Sequence, residues 1–148
     1  MDLMHGGSMP KLKTAAQEAE ACAVDLQLLV RMKAANDEGY CKCVTCGKVA
    51  HYKEMQGGHF IERSRSATKL LEENIHPQCQ YCNAFGMKST IIVLEYRNYM
   101  VAMYTEDCVA KLIALSRRPH KWVRSEIQEQ RADIRGQIKY QRQRLGEI

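Results

Sequence analysis

Residues 40–83 read YCKCVTCGKVAHYKEMQGGHFIERSRSATKLLEENIHPQCQYCN, and this stretch decides how the chain folds. It holds two pairs, Cys43-x2-Cys46 and Cys79-x2-Cys82, with Asn83 directly behind the second. A two-residue gap lets both sulfurs of a pair reach one ion, so four thiolates in two such pairs can close a tetrahedron around Zn2+. Cys41 lies two residues before Cys43 and offers an alternative ligand, although the x2 spacing favours Cys43. The 32 residues between the pairs exceed what a minimal zinc ribbon needs, and they carry His59, Asn74 and His76. A structural zinc would also support the apolar core, which is thin with only two Phe and one Trp.

The residues around the zinc have the chemistry of phosphodiester hydrolysis. That reaction needs a base to activate water, and imidazole titrates near neutrality. His59 follows Gly57-Gly58 at the end of an expected strand, which makes it the candidate base. The reaction also needs a cation to stabilise charge on the phosphate and the leaving oxygen. Amide oxygens suit Mg2+ or Mn2+, and Asn83 would have its backbone fixed by zinc-bound Cys82. Asn74 and His76 are further catalytic candidates. Asn74 can alternatively tie the two halves of the loop together, and His76 can alternatively cap the knuckle. A metal-dependent nuclease is the leading expectation. A zinc module that docks nucleic acid or protein without cutting is the rival, and it has no need of the histidine and asparagine pair.

Working outward, the charge is uneven. Residues 117–148 hold nine Lys/Arg and four Asp/Glu, so the remainder (22 less nine, 17 less four) carries thirteen of each and is neutral. A basic segment on a neutral metal module points to a polyanion, nucleic acid first. Seven cysteines, an odd number in metal-type spacing, point to a reducing compartment. No apolar run is long enough to span a membrane, and residues 1–10 read as a flexible leader without a signal-peptide core.

The periodicity predicts a mainly α chain with a small β-hairpin. Residues 11–38 form an N-terminal helix, 40–90 a zinc-stabilised core, and 91–148 a helical, DNA-binding region. The first helix begins near Pro10, carries an apolar stripe of Leu12, Ala15, Ala19, Cys22, Leu26 and Leu29, and stops at a Gly39 cap. Residues 61–72 read as a loop, and a further helix begins near Cys82. Helices then run over 91–104, from an N-cap at Thr105 to Ser116, and from Pro119 to about Leu145. On the last helix Val123, Ile127, Ile134, Ile138 and Leu145 share an apolar face. Arg124, Arg131, Arg135, Lys139 and Arg142 share an adjacent basic one. Either apolar stripe is a candidate homodimer seam.

Cys43-x2-Cys46, Gly58-His59-Phe60, Glu73-Asn74-Ile75-His76, Gln78-Cys79-x2-Cys82-Asn83 and Lys88 together resemble the lambdoid phage NinG (Rap) family. Tyr96, Val109, Leu112 and His120-Lys121-Trp122 extend the resemblance toward the C-terminus. These are recombination endonucleases of the HNH/treble-clef type, with a ββα-metal core. Recombination endonuclease VII is a more distant likeness. The resemblance implies cleavage of branched DNA such as Holliday junctions and D-loops, in a phage-infected bacterial cytoplasm beside phage or host recombination proteins. It implies His59 as base and Asn83 as a divalent-metal ligand. Gly58 stands where endonuclease VII has an acidic residue, so the second metal ligand must come from elsewhere. Glu62, Glu73 and His76 are the candidates, His76 favoured for its place in the motif.

Overall fold

Thr14 opens the first helix, α1 (Ala15–Ala34), with a reciprocal cap. Its Oγ1 accepts from the Gln17 amide at 3.2 Å, and Gln17 Oε1 accepts from the Thr14 amide at 2.9 Å. The computed structural model of the chain describes Gly7, Met9 and residues 11–148. The helix start expected at Pro10, and most of the leader expected over 1–10, therefore lie outside the described residues. Helical geometry begins later than expected, and Leu12 precedes it, exposed. Ala19, Cys22, Leu26 and Leu29 are buried as the stripe predicts, and Ala23, Val30 and Met32 widen it. Ala35, in an extended conformation, ends the helix. Gly39 does adopt a left-handed φ of 93°, but it closes the next turn, where its amide donates to the Asn36 carbonyl.

Two antiparallel hairpins follow, where one was expected. β1 (Tyr40–Lys42) pairs with β2 (Val49–His51) around the first cysteine pair. β3 (Gln56–His59) does not continue that sheet; it pairs with β4 (Ile75–Gln78), Gly58 facing His76 and His59 facing Ile75. Gly57 and Gly58 explain why β3 can sit there. A Cβ at Gly57 would stand 2.6 Å from Gln27 Cβ on α1, and one at Gly58 would collide with the Gln78 side chain. The segment joining β3 to β4 is not a plain loop: it contains α2 (Ser66–Lys69) and a 3-10 turn at Glu72–Asn74.

After β4 comes α3 (Gln80–Ala84), which starts two residues ahead of Cys82. Cys79 is its N-cap, its sulfur accepting from the Cys82 amide at 3.5 Å. α4 (Thr90–Tyr104) and α5 (Glu106–Ser116) meet at Thr105, which caps α5 through the Cys108 amide as expected. Thr105 carries a φ of 95°, the one non-glycine left-handed residue among the described residues. The last helix, α6 (Arg124–Arg144), begins after Pro119, contrary to the sequence reading. Trp122 packs against the main core, with the Lys69 ammonium 5.3 Å from its ring, so the chain stays non-helical until it has passed α2. Val123, expected on the apolar face, is the exposed N-cap.

The main core lies between α1 and α6 and extends beneath both hairpins to the zinc-type cysteines. Ile127, Ile134 and Ile138 pack against the α1 stripe, so the two expected dimer seams cover each other within one chain. Arg144 completes the joint: its Nη2 donates to the Met32 and Ala35 carbonyls, at 2.7 and 3.1 Å, where α1 has no amides left to offer. A second cluster, Tyr96 and Met100 of α4 with Val109 and Leu112 of α5, packs on Phe60, Ile61 and Leu71. Among the described residues, no helix is long and apolar enough to cross a membrane.

Candidate functional site

The β1–β2 turn and the start of α3 bring Cys43, Cys46, Cys79 and Cys82 together, with ligand atoms all within 4.8 Å of one another. Cys46 Sγ and Cys79 Sγ are 3.7 Å apart. That matches the ~3.8 Å edge of a tetrahedron with metal–sulfur bonds of about 2.3 Å, so the donor set fits Zn2+. Burial opposes ionisation of the Cys43 thiol. The Thr45 hydroxyl and the amides of Cys79, Cys46 and Thr45 outweigh it and hold the thiol below its ordinary range. Cys41 is outside this cluster. It is buried on β1 opposite Ala50, and burial pushes its thiol up. The four-thiol cluster thus takes Cys43 and not Cys41.

Beside this centre, β3, α3 and the segment after β3 line a cleft of about 500 Å3. His59, Asn83, Glu62, Arg63 and Arg65 are on its wall, with Gln27 reaching in from α1. His59 is buried, and its Nε2 is 3.0 Å from the Lys69 carbonyl oxygen. A carbonyl only accepts, so Nε2 carries the proton and Nδ1 holds the free lone pair. Nδ1 has no hydrogen-bond partner. Burial, the largest influence, brings the His59 pKa down to about 4, so the ring is neutral at pH 7. The ring is thus neutral, of fixed tautomer, with an unpaired lone pair on an Nδ1 that is itself buried away from solvent.

The carbonyl that orients His59 is itself anchored. The Lys69 ammonium is buried between Glu20, at 2.7 Å, and the Trp122 ring. Glu20 also pairs with Arg63, joining α1 to the rim of the cleft. Asn74 is fully buried and holds the same segment closed. Its Oδ1 accepts from the Ile61 amide at 2.8 Å, and its Nδ2 donates to the Ile61 and Thr68 carbonyls at 3.0 and 3.2 Å. Both Nδ2 protons and one Oδ1 lone pair are thereby spent on the backbone. Asn83 is half-buried on α3, where its Nδ2 donates to Gln56 Oε1 at 2.7 Å, leaving its own oxygen available.

His76 is not brought into the cleft. It sits on the other face of the hairpin, among Tyr96, Tyr99 and Tyr104. The Tyr96 hydroxyl is 2.6 Å from the Gly58 carbonyl and must donate its one proton there. It can then only accept from His76 Nδ1, 3.2 Å away, so His76 Nε2 accepts from the Tyr104 hydroxyl at 2.7 Å. Burial brings the His76 pKa down to about 4, consistent with a neutral ring. The chain Tyr104–His76–Tyr96–Gly58 therefore fixes the peptide that precedes His59. Of the other carboxylates considered for a metal, Glu62 lines the His59 cleft, whereas Glu73 lines a separate hollow with Tyr104 and Met100.

The basic stripe of α6 is partly committed within the fold. Arg131 Nε donates to Asp25 at 2.7 Å, Arg135 Nε donates to the same carboxylate at 3.2 Å, and Arg124 donates to the Lys13 carbonyl. Lys139 and Arg142 are exposed and flank a hollow beside Asp25. Sequence reasoning did not single out Gln27, Gln56, Arg63, Arg65 or Tyr96 as parts of a site. The arginines could have been suspected from their place just after Gly58-His59-Phe60. Gln27 and Gln56 carry no local signal, and Tyr96 entered only as part of the family resemblance.

A family model described as Bacteriophage Lambda NinG protein matches residues 9–144. No curated protein and no solved structure matches the chain.

Proposed function

The chain belongs to the NinG family, and from that premise we propose that it is a metal-dependent endonuclease that hydrolyses phosphodiesters in branched DNA, Holliday junctions and D-loops included. The observation that supports this best is His59 itself. It is a neutral imidazole, fixed by the Lys69 carbonyl, with a buried and unpartnered Nδ1, and it lines a cleft together with Asn83. In this reading Nδ1 removes a proton from the attacking water. Its low basicity keeps it unprotonated at neutral pH, and its rigid anchor keeps the lone pair aimed.

The oxygens of Asn83 and Glu62 would hold a divalent ion, Mg2+ or Mn2+, both being cleft residues with the hard donors such ions prefer. When bound, that ion would supply positive charge to the scissile phosphate and the leaving oxygen. The four cysteines would hold structural Zn2+, fixing the start of α3 and with it Asn83. Asn74 and His76 are positioning residues: one closes the segment that supplies the Lys69 carbonyl, the other secures Gly58. Arg63 and Arg65 would meet the phosphate being cut. The exposed Lys139 and Arg142, with Arg124 and whatever charge Asp25 leaves to Arg131 and Arg135, would hold flanking phosphates.

Paired nicks across a junction call for two active sites, and a homodimer supplies them at matching positions. Light scattering should then give twice the 17.0 kDa chain mass. The setting would be the cytoplasm of a bacterial host, beside phage or host recombination proteins. The deciding experiment is cleavage of a synthetic four-way junction and of linear duplex of the same sequence, in Mg2+ or Mn2+, by the parent and by His59→Ala. The parent should cut the junction preferentially, and His59→Ala should be slower by about two to four orders of magnitude. Tight junction binding with no cutting in either metal would leave a docking module in place of a nuclease.

A further inference from the structure

Only two phenylalanines occur in the chain, and one of them, Phe85, is 63% exposed. Its neighbour across one helical turn, Tyr81, is 68% exposed. Tyr81 stands on α3 and Phe85 is its C-cap; Asn83, two residues from each and so on the other side of that turn, lines the His59 cleft. The ring centroids are 6.2 Å apart and the planes are tilted by 43°. The pair thus forms a blunt wedge with open π-faces, not a closed stack. Leaving two large aromatic rings in water forfeits burial energy that a thin core could use. The exposed Lys88 follows three residues beyond Phe85, and Arg63 and Arg65 line the His59 cleft with Asn83, so cations lie along the same segment and in the cleft that Asn83 shares.

We propose that Tyr81 and Phe85 form a stacking platform for unpaired bases at the branch point, and that this platform makes the nuclease selective for branched DNA. The inference rests on the nuclease reading and deepens it. In linear duplex every base already has a neighbour on each face. At a junction, flap or D-loop edge, base faces are free or cheaply freed, and an aromatic ring can cover them whatever the sequence. The position of Asn83 on the same helix then sets the cut at a fixed, short distance from the branch. Cations at the rim draw in the backbone without distinguishing branched from linear DNA. The aromatic pair supplies the discrimination that the cations lack.

The test is equilibrium binding to a four-way junction and to linear duplex, each with 2-aminopurine at the position corresponding to the branch. It uses His59→Ala protein so that nothing is cut. Tyr81→Ala/Phe85→Ala in that background should bind the junction about tenfold or more less tightly, with linear binding unchanged. Base quenching on binding should be lost as well. Tyr81→Leu/Phe85→Leu, which keeps apolar area but removes the rings, should lose the same discrimination. Equal weakening on both DNAs, no weakening on either, or full discrimination by the leucine variant would overturn the platform. So would a change of the protein's mass in solution with DNA binding intact, which would make these rings a contact between proteins. Cutting by the His59 parent in Mg2+ is scored separately, so failure of the nuclease reading is distinguishable from failure of this one.

Discussion

His59 shows how much a single residue owes to its surroundings. Its pKa of about 4 lies below the ordinary 6.5, with burial as the main cause. Histidine-selective NMR should therefore find the neutral Nε2–H tautomer from pH 8 down to about 5, with no titration near 6.5. A ring that titrates in that interval would remove the fixed-base reading. The sign for stability follows. As pH falls from about 6.5 to 4, the unfolded chain binds protons at positions 59 and 76 that the folded chain refuses. These two rings should weaken folding by several kcal/mol across that window, and the loss should continue below it as Glu20 and Glu147, held below the ordinary carboxylate range by hydrogen bonds to Lys69 and Tyr52, take up protons; denaturant titration at each pH can check this. Tyr96 is the second revealing residue. Tyr96→Phe removes the donor to Gly58 and the acceptor for His76, both buried. It should cost roughly 1–3 kcal/mol in thermal denaturation and lower kcat more than it raises KM, because what is lost is the aim of β3.

Among the elements, the zinc-type knuckle and α3 act as one unit. Cys79 is at once a member of the four-thiol cluster and the N-cap of α3. Cys79→Ser should keep some capping, since a hydroxyl accepts as well, yet lose the metal. The protein should then contain no zinc by elemental analysis and melt at a much lower temperature, because the small core cannot replace the metal-binding energy. A folded, active Cys79→Ser protein without zinc would deny the metal a structural role. The knuckle was legible from spacing alone, as were α1, α4, α5 and the Thr105 cap, because each depends on residues close in sequence. The start of α6 was not. Pro119 is locally suited to a helix start, but the docking of Trp122 against the core and Lys69 holds that segment extended. The split of the hairpins was equally hidden, since β3 chooses β4 for reasons of close packing at Gly57 and Gly58.

At the scale of the whole molecule, α1 is the shared support: α6 packs on it, and so does the β3–β4 hairpin. This changes what the charges of α6 can do. Arg131→Ala should act chiefly on stability, costing roughly 1–2 kcal/mol by leaving the Asp25 carboxylate short of its nearest partner. Lys139→Ala with Arg142→Ala should leave the melting temperature alone and lower the salt slope of duplex binding by about 0.9 per lost phosphate contact. An unchanged slope would return that face to plain solvation. The same support explains why the two apolar stripes are not dimer seams: each is the other's cover. The sequence by itself determined the cysteine tetrad, the helices α1, α4 and α5, the family, and His59 and Asn83 as residues to watch, because these are matters of spacing and local composition. Only the tertiary structure decided that Asn74 clamps the backbone, that His76 faces tyrosines, that Glu62 shares the cleft with His59, and that Arg131 serves α1. Those roles depend on which face of a strand or helix meets which distant neighbour, and hydrogen-bond partners many residues away leave no periodic trace along the chain.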